Sequence, residues 1–77
     1  MREKLLNILE DLCGDEIVKE NPDIDLLEED LLDSMDYTEL LVEIEENFGV
    51  VIAPSEVTRE EMNTPNKIIA VVSRKMQ

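Results

Sequence analysis

The chain has no histidine, which removes the usual neutral-pH proton shuttle, the most frequent general base and the commonest metal ligand. Unassisted hydrolase chemistry is disfavoured with it. A single cysteine, Cys13, allows no internal disulfide. Tryptophan is absent and there is one Phe and one Tyr, so any core is built almost wholly from aliphatic side chains. No apolar run approaches the roughly 18 residues of a membrane span. Residues Met1, Arg2, Glu3 and Lys4 lead into a short amphipathic stretch rather than an apolar leader of about 7 to 15 residues. The expectation is a cytoplasmic protein with no direct membrane insertion.

Basic residues are also scarce: 7 Lys+Arg face 20 Asp+Glu, for a net charge of −13. Such a surface repels phosphate backbones and anionic lipid headgroups, which excludes nucleic acid and points to protein partners with basic patches. Length sets a further limit. Seventy-seven residues make one small domain, 1–77, and a chain of this size buries only about 60% of its unfolded surface, too little for a deep catalytic cleft. Yet 43% of the residues are apolar, more than an acidic disordered tail would carry. The chain folds.

The acidity is concentrated. Residues 20–46 hold 12 acids and no base, whereas residues 1–19 and 47–77 are close to neutral. A function that depends on charge belongs to that stretch.

Leu5, Leu6, Ile8, Leu9 and Leu12 recur at helical spacing before Gly14, predicting a first helix over 2–13. Residues 15–33 alternate acids with Ile17, Val18, Ile24, Leu26 and Leu27, and Asn21-Pro22 interrupts any helix there. They read as a long ordered loop, a length associated with function. Asp33 is placed to cap the next helix, 34–48, whose core side is Tyr37, Leu40, Leu41, Ile44 and Phe48 and whose stop is Gly49. Asp36, Glu39, Glu43 and Glu46 stack along another side. Val50 to Ala53 then reads as an extended buried connection closed by Pro54. Thr58 with Glu61 forms a capping-box pattern for a short third helix, and Thr64-Pro65 opens a last helix, 65–76, carried by Ile68, Ile69, Val72 and Met76. The fold class is all-α: a small four-helix bundle with a long loop between helices one and two and a short third helix.

Three constellations bear on chemistry. The acids of the loop do not have calcium spacing, since an EF-hand begun at Asp23 meets Leu27, Glu28 and Ser34 at positions that require an acid or amide, Gly and Glu. No metal site is expected. Cys13 has no Lys, Arg or His beside it in sequence to activate a thiolate and reads as a small core residue. Ser34 lies in Leu31-Leu32-Asp33-Ser34-Met35-Asp36. One reading makes it part of a helix cap. The other makes it a hydroxyl at a helix N-terminus, where free N–H groups and the helix dipole favour phosphate, although with no base of its own it needs another enzyme to activate it.

The run Asp33-Ser34-Met35, the acidic helix after it, Gly49 and the step Ile52-Ala53-Pro54 resemble the phosphopantetheine carrier-protein (acyl carrier protein-like) family across almost the whole chain. Within that family, Pro54, Ser55-Glu56, Arg59, Thr64 and Asn66-Lys67-Ile68 are most similar to the D-alanyl carriers. Asp30 stands where the family commonly has Gly, and Met62 where this branch often has Trp. The resemblance implies an acyl-carrier-protein-like bundle, itself not an enzyme. Its Ser34 would bear 4′-phosphopantetheine, covalently attached from coenzyme A by a phosphopantetheinyl transferase. The arm would hold D-alanine as a thioester, loaded by an ATP-dependent D-alanine carrier-protein ligase and passed to a downstream membrane acyltransferase for D-alanylation of teichoic acid. Partner recognition would rest on Asp33, Met35, Asp36, Glu39 and Glu43 of a monomer. Two alternatives are a generic acyl or peptidyl carrier of fatty acid, polyketide or nonribosomal peptide synthesis, and an acidic interaction module without covalent chemistry.

Overall fold

Two glycines and two side-chain oxygens set most of the helix bounds. Gly14 and Gly49 both take the left-handed conformation, with φ of 69° and 66°, and return their N–H groups to the carbonyls of Glu10 and Glu45; that conformation costs glycine nothing. Asp33 Oδ1 and Thr64 Oγ1 accept the N–H groups of Asp36 and Lys67, three residues on in each case. In the computed structural model, which describes residues 1–53 and 55–76, with Arg59 by its backbone alone, α1 spans Arg2–Cys13, α2 Ile17–Glu20, α3 Ser34–Phe48 and α4 Pro65–Met76. A single 3₁₀ turn, Arg59–Glu61, precedes α4. Among the described residues there is no β-strand, and the architecture is the all-α, acyl-carrier-protein-like bundle that the periodicity and the resemblance anticipate.

α1 packs against α2, α3 and α4, and the 3₁₀ turn packs on α4. The core is aliphatic: Leu5 and Leu9 of α1, Val18 of α2, Leu26 and Leu32 of the loop, Leu40, Leu41 and Ile44 of α3, Val50 and Ile52, Met62, and Ile68, Val71 and Val72 of α4 are buried. Loop leucines are as deep in it as helix leucines, and that holds the irregular segment before α3 in place. Met62 is fully buried, so the thioether fills core volume, as an unbranched side chain can.

The structure corrects several details. Residues 15–33 are not loop throughout, because Val18 is drawn fully into the core against α1 and the Asp15 carboxylate accepts the Ile17 N–H, closing one helical turn, α2. The 50–53 segment is not buried throughout: Val50 and Ile52 point inward while Val51 is 62% exposed, an alternation that follows from extended backbone. On α4 the buried face runs through Ile68, Val71 and Val72, leaving Ile69 half-buried and Met76 exposed. Tyr37 and Phe48 lie at the core's margin, half-buried, with Lys4 Nζ 5.7 Å from the centre of the Phe48 ring. The capping box forms in part, since Thr58 N–H donates to Glu61 Oε1, yet it opens a 3₁₀ turn rather than an α-helix. Pro54, and with it the end of the Ile52-Ala53-Pro54 step, lies outside the described residues, as does the Arg59 side chain.

Candidate functional site

The start of α3 is positioned by the loop before it, and the loop is organised around Leu26. Its side chain is fully buried. Its N–H donates to the Asn63 carbonyl at 2.7 Å, and its own carbonyl accepts the N–H groups of Leu31 and Leu32 at 2.9 and 3.0 Å. One residue's backbone thus joins the approach to α4 with the approach to α3. Asp25 Oδ1 accepts the Leu27 and Glu28 N–H groups, which tightens the turn, and Asp30 completes it at φ 56°. Asp is one of the few L residues that visit this region readily, which accounts for a non-glycine residue here.

Leu32 is buried, and the backbone then emerges at Asp33, extended at φ −95° and ψ −175°. The Asp33 carboxylate takes the Asp36 N–H at 2.8 Å and its carbonyl takes the Tyr37 N–H at 2.9 Å. The N–H groups of Ser34 and Met35 belong to the first turn and have no acceptor within the helix. Ser34 is exposed. Thr38 turns its hydroxyl back to the Ser34 carbonyl at 3.0 Å. A cleft of about 430 Å³ opens beside Ser34, lined by Leu27, Asp30, Leu32, Asp33, Tyr37 and Thr38.

Asp33, Ser34 and Met35 therefore come together at the exposed end of α3, with Met35 80% exposed. The rest of the carboxylate stripe divides. Glu39 and Glu46 are exposed and flank Val42, an exposed apolar residue on the same side as Met35. Asp36 and Glu43 are half-buried toward α1. Glu43 lines a small cavity with Ile8, Asp11 and Leu12, and Asn47 donates its amide to Glu43 Oε2 and to the Glu43 carbonyl. Cys13 is half-buried and free. Burial, together with the negative charges of Asp36 and Asp15, pushes its thiol up to about 11, so it stays protonated and unreactive at neutral pH.

Three acids of the loop are spent on structure. Asp23 Oδ1 accepts the Asn66 amide, Asp25 Oδ2 accepts the Asn63 amide, and Asp33 caps α3. Among the described residues no group of three or more acidic or cysteine side chains is arranged to hold a metal ion. The cleft residues Leu27, Leu32, Tyr37 and Thr38 carry no motif, although Tyr37 and Thr38, three and four residues after Ser34, share its side of the helix. The pairing of Asp25 with Asn63 spans 38 positions and has no local signature.

The exposed hydroxyl, the two unshared amides, the positive end of a fifteen-residue helix and the adjoining cleft fit a phosphate diester leading away along the surface. With no histidine in the sequence, the hydroxyl has no imidazole beside it to act as its base.

The family model described as the phosphopantetheine attachment site matches residues 3–72, and the chain belongs to that family of phosphopantetheine carriers. Its domain carries a covalently attached 4′-phosphopantetheine and is a carrier rather than a catalyst. Among curated proteins the chain is 49% identical over 76 residues to the D-alanyl carrier protein of Abiotrophia defectiva, covering 99% of this chain and 96% of that one. It is 44% identical over 72 residues to the D-alanyl carrier protein of Bacillus subtilis (strain 168), covering 94% and 92%. It is 50% identical over 70 residues to that of Lacticaseibacillus rhamnosus, covering 91% and 86%.

Proposed function

We propose that the protein is a D-alanine carrier whose 4′-phosphopantetheine is attached at Ser34, within a single domain, 1–77, that acts as a monomer on the cytoplasmic side of the membrane. The observation that carries the reading is the exposed serine at the capped N-terminus of α3, beside an open cleft. When bound, the group supplies a terminal thiol on a long flexible arm, able to hold an aminoacyl unit as a thioester. The protein's own residues present the attachment point. Asp33 holds the first turn closed, Ser34 and Met35 offer amides toward the phosphate, and the cleft gives the arm a surface to lie against. The relatives' name supplies the cargo. A radius of gyration of 11.0 Å agrees with the about 11.5 Å expected of 77 residues folded as one unit.

Partners are a phosphopantetheinyl transferase, an ATP-dependent D-alanine carrier-protein ligase and a downstream membrane acyltransferase. No described helix is long and apolar enough to cross a membrane, so delivery depends on docking. Asp33, Met35, Asp36, Glu39 and Glu43 form the recognition surface. The exposed carboxylates steer basic partners and Met35 makes an adaptable apolar contact, and binding of this kind is fast, weak and sensitive to salt.

The test is to give the phosphopantetheinylated protein D-alanine together with ATP and the ligase, and to measure thioester formation by intact mass. D-Alanine should be loaded in preference to L-alanine and to fatty acids. Glu39→Lys should slow loading while leaving the melting temperature within a few degrees of wild type. Failure to accept D-alanine from an active ligase would remove the cargo assignment, and a wild-type loading rate in Glu39→Lys would remove that carboxylate from recognition.

A further inference from the structure

The segment that presents Ser34 is tied to the beginning of α4 by four hydrogen bonds that cross the molecule. Two are made by backbone alone: Leu26 N–H to the Asn63 carbonyl at 2.7 Å, and Asn66 N–H to the Pro22 carbonyl at 2.9 Å. Two are made by side chains: Asn63 Nδ2 to Asp25 Oδ2 at 2.9 Å and Asn66 Nδ2 to Asp23 Oδ1 at 2.8 Å. The Asn66 pair is exposed, whereas the Asn63 pair is partly buried, and a hydrogen bond to a charged group shielded from water is the stronger of the two.

The Asn63 pair also stands at the head of an unbroken path. Asp25 receives Asn63 on one carboxylate oxygen and the Leu27 and Glu28 N–H groups on the other. The carbonyl of the next residue, Leu26, receives Leu31 and Leu32. Leu32 is buried immediately before the Asp33 cap, and Asp33 sets the first turn in which Ser34 stands. Three of the residues this path fixes, Leu27, Asp30 and Leu32, line the cleft beside Ser34.

We propose that Asn63 is a positioning residue, which with Asp25 clasps the loop onto the start of α4 and so fixes the direction in which Ser34 and its cleft are presented to the enzyme that modifies the serine. The role rests on the assignment of Ser34 as the attachment point. Asn63 acts at a distance and touches no reacting atom. Its Oδ1 is buried without a hydrogen-bond partner among the described residues, so Nδ2 is the atom that holds the amide to the carboxylate. Because the backbone bonds of Leu26 and Asn66 do not depend on the Asn63 side chain, its replacement loosens the clasp without dismantling the fold.

The experiment compares wild type, Asn63→Asp, and the doubly substituted Asp25→Asn, Asn63→Asp protein. Asn63→Asp sets two carboxylates against each other. The double substitution returns a donor and an acceptor, and the amide oxygen it places at position 25 is still able to take the Leu27 and Glu28 N–H groups. Two readouts are taken at a temperature where circular dichroism shows all three folded: the rate of phosphopantetheine attachment from coenzyme A by a phosphopantetheinyl transferase, and hydrogen exchange of the Leu31 and Leu32 amides.

Asn63→Asp should lower kcat/KM for attachment by about tenfold or more, the scale on which small misplacements act, and should raise exchange at Leu31 and Leu32. The double substitution should recover both. Attachment at the wild-type rate in Asn63→Asp while exchange has risen overturns the positioning role alone. Unchanged exchange shows that the pair is no clasp and overturns it too. A wild-type protein that gains no phosphopantetheine overturns the Ser34 assignment and this role together.

Discussion

Asp30 shows at a single residue how the site departs from the simplest solution. Its φ of 56° is one that glycine adopts freely and a β-branched residue resists, and the turn it closes delivers Leu31 and Leu32 to the Leu26 carbonyl. Asp30→Gly should therefore be tolerated or stabilising by up to about 1 kcal/mol, while Asp30→Val should cost more than about 1 kcal/mol, as read by urea unfolding. Equal midpoints for the two variants would show that the turn does not require this conformation. The sequence resemblance marked position 30 as one where glycine would be expected, but the positive φ at Asp30 is visible only in the fold. Ser34 is the reverse case: its type and neighbours were legible at once, whereas its exposure and the cleft beside it come from the burial of Leu26 and Leu32, two loop leucines whose depth no periodicity reveals.

The helices differ in how openly they are written. α1, α3 and α4 were legible to the residue because Gly14, Gly49, Asp33 and Thr64-Pro65 are physical stops and starts, each satisfying groups that a helix end leaves free. α2 was not, because four residues make a single turn whose stability comes from packing Val18 beneath α1 rather than from its own sequence. The phase of α4 also shifted, with Val71 inside and Met76 outside, since a period of 3.6 leaves the flanks of an apolar stripe to be assigned by the neighbours it meets. At this scale the cap of α3 is the element to test. Asp33→Ala should cost about 1 kcal/mol and lower the melting temperature by about 4–8 °C for a domain of this size, with helix content retained at low temperature. An unchanged melting temperature would mean that the Asp33–Asp36 bond contributes nothing to the start of the helix.

Across the whole molecule, an acidic middle third is wrapped around a small aliphatic core and secured to the more neutral C-terminal part. Only two salt bridges form among the described residues, Lys19 with Glu10 and Lys75 with Glu56, and both lie outside residues 20–46. Among the described residues no basic side chain forms a salt bridge with the acids of that stretch, which repel one another. Raising salt from about 10 mM to about 300 mM shortens the range of that repulsion severalfold, and the melting temperature should rise, with magnesium acting at lower concentration than sodium. A flat response would show that solvent screening already removes the strain. In the proposed function the same charge is what an electropositive partner would meet first, so a feature that weakens the isolated fold would serve docking.

The central claim is that Ser34 bears the prosthetic group. It is tested most directly by the intact mass of the protein after incubation with coenzyme A and a promiscuous phosphopantetheinyl transferase, followed by fragment mapping, with Ser34→Ala treated alongside. The account predicts a gain of one phosphopantetheine, located on Ser34 and absent from a Ser34→Ala variant that melts close to wild type. A gain that persists in Ser34→Ala, or no gain in a folded wild-type protein, would contradict it.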